Sequence, residues 1–598
     1  MRPVFGSFLL AVLVPVALRA QTVRYEVSLT AARQFHVSAD FPTTGKDTLF
    51  VSLPAWSPGS YEIQNYARYV FGFGAKNAAG QGGALRWDRA DKDTWRIVTG
   101  GAARVIAEFN FAADTIDLSI ARSVENFAQF LGTNLFLFEE GQLGRSAEVR
   151  FRVPAGWQIT TALKGPVNGV YRAADYHELA DAMTFLGRYS LDSLQAAGKW
   201  IRVAVWPAAD YTPAVARNIR NGIAKMAPVQ NRIMGGGEAP YDVYTVFYNV
   251  IHEPIDFGGG LEHSNSQYDI LPALAFADPS GKLGDFMYPL LSHEFFHLWN
   301  VKRIRPAELW PYDYREEQYT PLLWWSEGVT DYYADITNLR SGLWSVDQFL
   351  DNTRSNIDQI EQIPEPWSAE DGSEATWIHE VHVNSSQLYY PKGSLLGLLL
   401  DVSIRDATDN AHTLDEVIRG LYTRYYRQNK GFTTADLLRE LRTAGMPDVE
   451  AFYSRYIDGR DSLPYEPVLA KAGLVFTRQV VTVPFVGVSS GATPSGDLLV
   501  QSITPGSSAD QAGVEPGDVL VSIADVTVTA DEDWGATFRT RYRGKAGQPI
   551  TITVRRGGRA LTLNTTVRER THSRISLGRA PNPTAKQARI WQGIATGL

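Results

Sequence analysis

The sequence predicts a multidomain protein with an N-terminal all-β domain, an α+β central domain and a small C-terminal β-module. Changes in residue pattern along the chain predict this order. From Thr22 to about Ser190, short alternating apolar runs are broken by Gly, Pro and Asp, which is typical of antiparallel strands. From Phe286 to about Tyr456, longer segments carry apolar residues at helical spacing. With 598 residues, the chain is long enough for about three domains with ample cores.

The expected domain boundaries follow these changes of pattern. We expect an N-terminal β domain, a central domain, a C-terminal β-module and a polar, proline-containing tail at 21–195, 196–470, 471–570 and 571–598. In the central domain the sequence predicts strands between about 200 and 250 and a helix near Val215–Arg232. A short helix is also predicted in the tail, near Gln587–Trp591.

The first twenty residues have the pattern of a secretory signal peptide. Arg2 precedes an apolar run from Val4 to Leu18, and the small Ala20 stands before Gln21. This run is too short for a well-formed membrane span, although an uncleaved anchor is the alternative. The chain has no cysteine, which excludes a lipid-anchored start and any disulfide, and no other segment is apolar for 18 residues. We therefore expect a bacterial protein that is exported to the periplasm or secreted and is soluble once the signal is removed.

The charge of the chain excludes two classes of partner. The formal net charge is −8 at neutral pH, and removal of Arg2 and Arg19 with the signal peptide would make it −10. The sequence contains no block of basic residues. Because nucleic acids and anionic membranes attract basic surfaces, we expect neither nucleic-acid binding nor stable association with a membrane.

The strongest chemical signal is the segment His-Glu-Phe-Phe-His at 293–297, which matches the zinc-hydrolase pattern H-E-x-x-H. On a helix, positions i and i+4 lie on one face, so His293 and His297 can bind one metal ion. Glu294 then lies beside the open position of the metal, where it can take a proton from a bound water. Pro289 is expected in the first turn of this helix, and Pro306 lies where it can end a helix without breaking the site.

A third ligand is predicted in the segment WWSEGVTDYY (324–333), which has helical spacing. A catalytic zinc ion usually has three protein ligands and a water, and a carboxylate from a second helix is a common third ligand. Glu327 is the candidate, which predicts one Zn²⁺ per chain. Asp331, one turn later, can bind the second nitrogen of a ligand histidine and fix its tautomer. The alternative is an amphipathic helix with exposed acids, but both acids stand among apolar residues.

These motifs resemble those of the gluzincin metallopeptidases, and among them the glycyl aminopeptidase family. That family combines a β-rich N-terminal domain, a thermolysin-like catalytic domain and a PDZ domain. The stretches that carry the resemblance are HEFFHLWNVKRIRP (293–306), WWSEGVTDYY (324–333), YYPKG (389–393), GGGLEH (258–263) and PAWSPGSYEIQNYARYV (54–70). The run through Pro306 is much more specific than H-E-x-x-H alone. The resemblance spans nearly all of the mature chain and implies the same domain order and a zinc peptidase activity.

The resemblance also implies an oxyanion donor. The segment YPKG at 390–393 follows the Y-x-K-G pattern of related aminopeptidases, whose tyrosine hydroxyl donates to the tetrahedral oxyanion. A neutral phenol can donate without bringing a competing charge to the metal. Tyr390 is the candidate and Tyr389 its rival. The alternative is that both tyrosines only pack at the start of a helix.

A second implied role is recognition of the substrate amine. In related enzymes a G-x-x-E segment lets the substrate backbone approach, while its glutamate binds the free α-ammonium. Gly259 and Gly260 would permit that approach, and Glu262 would pair with the cation. This segment follows a strand predicted to alternate from Tyr244 to Val250. GGGLEH departs from the better-known G-A-M-E-N form, so Glu262 could instead be a structural acid.

The C-terminal β-module resembles a PDZ domain. Phe485, Val486, Gly487 and Val488 look like its carboxylate-binding loop, and the segment 507–520 resembles its helix and G-D-x-L turn. Backbone N–H groups of such a loop bind the carboxylate at a peptide C-terminus, and the ligand adds a strand to the edge of the sheet. An equally good interpretation is a closed module that packs on the enzyme and binds nothing.

Together, these features predict an exported, zinc-dependent aminopeptidase. Zinc would polarise the scissile carbonyl and a water, while Glu294 would deprotonate that water and pass the proton to the leaving amine. The resemblance implies a preference for small first residues such as Gly or Ala. Two alternatives stay open: a thermolysin-like endopeptidase to which the PDZ domain delivers chain ends, and a non-catalytic protein that binds peptides. The last would be indicated by a lost ligand or base, and neither is missing.

Overall fold

The structure is a computed structural model, which describes residues 21–31, 33–80, 83–253, 258–276, 283–363, 367–493, 496–530 and 533–597. The chain divides into two compact units, one formed by Met1–Val475 with Gly578–Leu598 and the other by Phe476–Leu577. The predicted fold class is confirmed, because a β-rich region, a largely helical region and a β-module follow one another along the chain. The expected signal peptide lies outside the described residues. Among the described residues, no helix combines the length and apolar character that a membrane crossing requires.

The N-terminal region is built from β-sheets. Its strands are β1 (Val23–Ala31), β2 (Gln34–Pro42), β3 (Thr48–Ser52), β4 (Val70–Asn77), β5 (Trp87–Arg89), β6 (Thr94–Val98), β7 (Arg104–Ala112), β8 (Arg122–Val124), β9 (Phe127–Phe130), β10 (Phe138–Glu139), β11 (Ala147–Arg152), β12 (Gln158–Thr161), β13 (Lys164–Val167), β14 (Val170–Ala173) and β15 (Thr184–Gly187). The sheet orders are β13-β14-β11-β1-β2-β7-β4, β10-β3-β6-β5 and β12-β15-β9-β8. Short helices α1 (Gly132–Leu135) and α2 (Tyr176–Ala180) connect strands.

The alternating sequence pattern explains these strands. In β2, Phe35, Val37, Ala39 and Phe41 are fully buried, and the residues between them are half-buried. Side chains of a strand point to opposite faces in turn, so a period of two places one face on the core. Most pairs in this region are antiparallel, as predicted, but β1 pairs with β11 in parallel.

The central region contains a mixed sheet of order β16-β17-β18-β20-β19. Its strands are β16 (Ser190–Ala196), β17 (Lys199–Trp206), β18 (Val243–Ile251), β19 (Gly259–His263) and β20 (Ser266–Pro272). β18 has parallel neighbours on both sides, so the segment predicted to alternate is instead buried throughout from Tyr244 to Ile251. The expected boundary between the N-terminal and central domains, at 195/196, falls at the end of β16. Because β16 pairs with β17, the central sheet already begins at Ser190.

Helices cover the rest of the central region. They are α3 (Pro213–Ile233), α4 (Ala273–Phe276), α5 (Leu283–Phe296), α6 (Val329–Ser341), α7 (Val346–Glu361), α8 (Ala369–Glu374), α9 (His379–Ala407), α10 (Leu414–Arg424), α11 (Thr434–Thr443), α12 (Val449–Phe452) and α13 (Tyr465–Leu469). Two π-helical turns occupy Trp324–Gly328 and Tyr453–Ile457. Shorter 3₁₀ turns lie at Tyr66–Tyr69, Ala208–Asp210, Ala307–Leu309, Ala375–Trp377, Tyr426–Gln428 and Ala470–Ala472.

One predicted helix position and one alternative interpretation differ from the structure. Pro289 lies inside α5 and not in its first turn, because the helix already begins at Leu283. Tyr389 and Tyr390 lie within α9, which runs from His379 through Pro391 to Ala407, so they do not mark a helix start. Both helices contain a proline in their interior, Pro289 and Pro391, and continue through it.

The second unit has the sheet order β22-β23-β24-β26-β27, with β25 paired to β24. Its elements are β22 (Val488–Ala492), β23 (Leu498–Ile503), helix α14 (Ser508–Ala512), β24 (Val519–Ile523), β25 (Val526–Thr527), helix α15 (Trp534–Arg541), β26 (Pro549–Arg556) and β27 (Arg559–Thr566). Two longer strands, β21 (Leu474–Pro484) and β28 (Glu569–Arg579), pair with each other. The core of this unit includes the fully buried Ala509, Ile523, Phe538, Ile552 and Val554.

The segment expected as a tail is structured. After β28, helix α16 (Ala585–Thr596) packs in the first unit, where Ile590, Trp591 and Ile594 are buried. The Arg340 guanidinium donates to the Ile594 carbonyl at 2.9 Å. The short helix predicted near Gln587–Trp591 therefore forms part of a longer one that contributes to the core of this unit.

Candidate active site

The two histidines of the H-E-x-x-H motif lie at the C-terminal end of α5. His293 and His297 are 8% and 1% exposed, so both rings are removed from solvent. Their Nε2 atoms lie 2.8 Å apart, as the i, i+4 spacing on one helix face predicts. Glu327 comes from the π-helical turn Trp324–Gly328 just before α6, and its Oε2 lies 3.1 Å from His297 Nε2 and 3.6 Å from His293 Nε2. Single π-helical turns inside helices are frequent at functional sites.

Hydrogen bonds on the outer ring nitrogens fix the direction of the inner ones. His297 Nδ1 lies 2.6 Å from the Asn300 carbonyl oxygen, which can only accept, so Nδ1 carries a hydrogen. His293 Nδ1 lies 2.7 Å from Asp331 Oδ1, the contact predicted from the sequence. In their neutral forms both histidines therefore direct an Nε2 lone pair toward Glu327.

Three electron-pair donors thus converge on one point. Ligand atoms of His293, His297 and Glu327 all lie within 4.8 Å of one another. Such an arrangement is repulsive unless a cation or a shared proton lies between the atoms. Two imidazoles and one carboxylate, with the histidines held from behind by a carboxylate and a carbonyl, are a ligand set that fits zinc. The residues of this chain therefore fit the metal that the sequence predicts.

The charges around the site also call for a cation. Burial lowers the pKa of His293, but the carboxylates of Asp331, Glu327 and Glu294 outweigh it and raise this pKa well above its ordinary value. Burial raises the pKa of Glu327, yet the two histidines hold it below its usual range. A positive charge at the point of convergence is therefore stabilised by the acids that surround it.

Glu294 and Glu262 lie next to this centre. Oxygens of Glu262 and Glu294 and a nitrogen of His297 form a second group within 4.8 Å. Glu294 Oε2 and Glu262 Oε1 are buried without a hydrogen-bond partner. Burial, together with the neighbouring carboxylates, raises the pKa of Glu294 well above its ordinary value, although His293 opposes this. The motif glutamate and the predicted amine-binding glutamate thus share one pocket.

Strand β19 carries Glu262 along the edge of the central sheet, since β19 stands at the end of the sheet order. Gly259 and Gly260 lie in the same strand and are half-buried. A Cβ on Gly260 would lie 2.4 Å from the Glu294 carboxyl, so only glycine allows this strand to pass so close to the motif. Lys302 is also buried here, with its Nζ 3.2 Å from Asp181 and 3.6 Å from Glu262.

The two tyrosines of the YYPKG segment have different neighbours. The Tyr390 ring centroid lies 5.9 Å from that of His293, whereas the Tyr389 hydroxyl lies 3.3 Å from Thr376 Oγ1. Burial raises the pKa of Tyr390 well above its ordinary value, so its hydroxyl keeps the proton it would donate. Helix α9 passes so close to the π-helical turn Trp324–Gly328 that a Cβ on Gly393 would lie 2.2 Å from the Trp324 carbonyl oxygen. This glycine brings Tyr390 to the turn that carries Glu327.

Sequence reasoning missed two residues that contact the site. The Tyr61 hydroxyl, from the N-terminal domain, donates to Glu327 Oε1 at 2.9 Å. Lys302, on the segment after α5, donates to the Pro58 carbonyl at 2.9 Å and lies beside Glu262. Both stand inside stretches that carry the family resemblance, 54–70 and 293–306, but neither spacing indicated a role. Lys302 stands between Val301 and Arg303, so no apolar pattern in the sequence marked it as buried.

The predicted carboxylate loop of the second unit lies between β21 and β22. The Phe485 N–H donates to the Arg568 carbonyl, while the carbonyls of Val486 and Gly487 accept from Ala509 and Thr504. Gly487 has a φ of +77°, and a Cβ there would lie 2.1 Å from Ser507 Cβ. Val488 begins β22, which stands at the end of its sheet order. Because the Phe485 N–H is already bonded, it does not face a ligand.

A large cavity in the described part of the chain lies apart from the histidines of the motif. It has a volume of about 1200 Å³ and is lined by Lys302, Asp181, His177, Tyr312 and Arg303 among others. His293, Glu294, His297 and Glu327 do not line it. The ligand geometry, and not this cavity, therefore locates the chemistry of this protein.

Comparison with protein families agrees with this geometry. The M61 glycyl aminopeptidase model matches residues 287–396, and the M61 peptidase N-terminal domain model matches residues 24–188. A PDZ domain model matches residues 483–567. A search of curated proteins found no match.

Comparison with solved structures finds a protein with the same fold over nearly the whole chain. An aminopeptidase N family protein from Idiomarina loihiensis is similar with a TM-score of 0.82 and 23% identity, over 96% of this chain and 100% of that one. More distant similarities are to an M1 zinc metallopeptidase from Deinococcus radiodurans (TM-score 0.45, 14% identity, 74% of this chain and 94% of that one) and to leukotriene A4 hydrolase from Saccharomyces cerevisiae (TM-score 0.46, 12% identity, 75% and 70%). The chain therefore carries an M61 glycyl aminopeptidase catalytic domain, an M61 N-terminal domain and a PDZ domain, and it is a zinc metallopeptidase.

Proposed function

We propose that this protein is an exported aminopeptidase that removes small first residues from peptides, with one zinc ion held by His293, His297 and Glu327. The observation that carries the proposal is the pair of buried carboxyls beside the histidines. Glu294, Glu262 and His297 place ligand atoms within 4.8 Å of one another. One acid can serve the attacking water while the other binds a charged amine.

The residues of the chain take distinct parts in the reaction. When bound, zinc would polarise the scissile carbonyl and make a water acidic enough to attack at neutral pH. Glu294 accepts the proton of the attacking water and returns it to the leaving amine. Tyr390 donates its phenolic hydrogen to the oxygen that gains negative charge. Asp331 and the Asn300 carbonyl hold the two histidines with their Nε2 atoms directed inward.

Recognition of the free N-terminus is assigned to Glu262. A carboxylate that is 3% exposed pairs strongly with a substrate α-ammonium, because both groups leave water on binding. Gly259 and Gly260 leave room for the substrate backbone along β19. The match of the M61 glycyl aminopeptidase model supports a preference for a small first residue such as Gly. The signal-like sequence at 1–20 supports export, and the loop Phe485–Val488 could bind peptide C-termini.

Matched peptides with a free or an acetylated N-terminus test the aminopeptidase proposal. We expect the enzyme to strongly prefer the free amine and to lose activity when a chelator removes the metal. Glu262→Gln keeps the shape of the side chain and removes its charge. The ratio of the rates on free and acetylated peptides should therefore fall about 10–100-fold, because a charge-assisted hydrogen bond contributes about 1.5–3 kcal/mol. Zinc content should not change.

The control for this variant is Glu370→Gln, which alters a carboxyl of the same domain whose partner is the Tyr453 hydroxyl at 2.9 Å. It should leave the preference for the free amine as in the wild type. If the wild type cuts internal bonds of acetylated peptides as fast as free ones, the protein is an endopeptidase and Glu262 does not select the amine.

A separate variant tests the oxyanion donor. Tyr390→Phe removes one hydroxyl and should lower kcat by about 10²-fold, within the range seen for single oxyanion donors, on substrates of any first residue. Tyr389→Phe, whose hydroxyl lies near Thr376, is the matched control and should retain near-normal kcat. Steady-state rates on one peptide amide decide the matter, and equal losses in both variants would remove Tyr390 from this role.

A further inference from the structure

A loop of the N-terminal domain reaches the catalytic centre. It runs from Ala55 to Tyr61, between β3 and the 3₁₀ turn Tyr66–Tyr69. It lies within the stretch 54–70, which carries part of the family resemblance but contains no motif of known chemistry. In the structure, this loop contacts two of the acids beside the histidines, Glu327 and Glu262.

The first contact is made by Tyr61. Its hydroxyl donates to Glu327 Oε1 at 2.9 Å, so Oε2, the other oxygen of that carboxylate, faces the two histidines. Tyr61 has a φ of +47°. This left-handed conformation is unfavourable for a bulky residue, and such backbone strain is concentrated at functional sites.

The second contact is made by Gly59 and Pro58. Gly59 has a φ of +116°, and a Cβ on it would lie 2.6 Å from both carboxylate oxygens of Glu262 and 2.8 Å from Leu261 Cδ1. The backbone of the loop therefore passes directly over the Glu262 carboxylate. The Pro58 carbonyl accepts from Lys302 Nζ at 2.9 Å, and the same ammonium lies 3.6 Å from Glu262.

Both domains hold the loop in place. On the catalytic side, the Trp56 indole N–H donates to the Asp313 carbonyl at 2.8 Å, and the Ala55 N–H donates to the Tyr314 carbonyl at 2.7 Å. On the N-terminal side, Ser57 Oγ lies 2.6 Å from Thr133 Oγ1. Ala55, Trp56 and Ser57 are themselves buried, so the loop is part of a packed interface and not a free surface segment.

We propose that the segment Pro58–Tyr61 of the N-terminal domain is a positioning element of the catalytic site, in which Tyr61 orients Glu327 toward the metal and Gly59 closes the cleft behind Glu262. The inference rests on the proposed function, because it assumes that Glu327 binds zinc and that Glu262 binds the substrate amine. In this arrangement Gly59 closes the cleft, so a substrate peptide has no room to extend beyond its first residue. The N-terminal domain thereby helps to make the enzyme an exopeptidase.

Tyr61→Phe tests the first half of the proposal through metal affinity. Without the hydroxyl, the Glu327 carboxylate is free to turn, and zinc should be lost at a chelator concentration at least about tenfold lower than for the wild type, as is typical when a partner of a metal ligand is removed. Tyr25→Phe is the matched control, because it also removes a buried hydroxyl of the N-terminal domain, one that donates to the Leu137 carbonyl at 2.6 Å. That variant should retain zinc like the wild type.

Gly59→Ala tests the second half through the Michaelis constant. The added methyl group would press on the Glu262 carboxylate, so KM for free-amine peptides should rise about tenfold, the effect of one weakened charge-assisted bond, with zinc content and kcat little changed. Gly141→Ala is the control for backbone strain, since Gly141 also has a positive φ and no atom within 4 Å of an added Cβ. It should leave KM unchanged.

The outcomes separate the loop from the catalytic centre itself. If the wild type binds zinc and prefers free amines but Tyr61→Phe holds zinc as tightly and Gly59→Ala keeps the wild-type KM, the loop only packs and the proposal is overturned while the proposed function stands. If the wild type binds no zinc, or shows no preference for the free amine, the proposed function fails and the loop proposal falls with it. Selective loss of zinc affinity in Tyr61→Phe, together with a selective rise of KM in Gly59→Ala, supports it.

Discussion

Glu294→Gln is expected to lower kcat by about 10²–10⁴-fold or more while the protein keeps its zinc. Glutamine has the shape of glutamate, so it fits in the same narrow space beside Gly260, where an added Cβ would lie 2.4 Å from the Glu294 carboxyl. It cannot accept the proton of the attacking water, and a neutral amide cannot return a proton to the leaving amine. Metal analysis and single-substrate kinetics on the same preparation separate the two effects.

The comparison variant is Glu370→Gln, which alters a carboxyl away from the histidines and should keep wild-type kcat. Near-normal turnover of Glu294→Gln with zinc bound would show that another group accepts the proton. Glu262 would be the first candidate in that case, because its oxygens, those of Glu294 and a nitrogen of His297 lie within 4.8 Å. Loss of zinc in Glu294→Gln would instead show that this residue helps to hold the metal.

Local rules of chain geometry made much of the centre predictable from the sequence. The i, i+4 rule brings His293 and His297 to one helix face, and the structure places their Nε2 atoms 2.8 Å apart. Glu327 and Asp331 stand four residues apart, and the structure directs the first to the inner nitrogens and the second to His293 Nδ1 at 2.7 Å. Each of these relations joins residues a few positions apart in the chain or follows from known ligand chemistry. A short sequence motif is therefore enough to predict them.

Contacts across domains could not be predicted in the same way. Tyr61 and Glu327 are 266 positions apart, and Pro58 and Lys302 are 244 apart. Nothing in one stretch of sequence indicates which distant stretch it will touch, because that depends on how the sheets and helices pack. The same limit explains helix α16, whose capping box at Thr584 and Gln587 is local but whose buried contacts belong to the fold. Tyr390 is a mixed case, since its motif pointed to the site and its place inside α9 was missed.

The electrostatics of the site depend on that packing as well. Three buried carboxyls, Glu262, Glu294 and Glu327, lie in two groups that share His297, and each is 4% exposed or less. Such a concentration of acids is costly without compensating positive charge. Lys302 supplies part of it behind Glu262, and the histidines face Glu327. A divalent cation and a substrate ammonium would supply the rest, which explains why the site is built from residues that are unfavourable on their own.

Glu327→Ala should therefore weaken zinc binding more than any change outside the ligand set. Removing a partner of a ligand typically costs about 10–100-fold in metal affinity, and loss of a ligand itself should exceed the upper end of that range. Activity should fall with the zinc content and recover only in part when excess zinc is added. Zinc per chain after dialysis against a graded series of chelator concentrations measures the change.

Asp335→Ala is the matched control for this variant. Asp335 is a buried acid of the same helix, α6, and accepts from the Asn352 amide at 2.8 Å, so its loss perturbs packing without removing a ligand. It should keep zinc at chelator concentrations that strip Glu327→Ala. If Glu327→Ala binds zinc as tightly as the wild type, Glu327 is not a ligand. The metal would then belong to the neighbouring group of Glu262, Glu294 and His297, and neither the base nor the amine-binding residue could be the one proposed, because both would be bound to the ion.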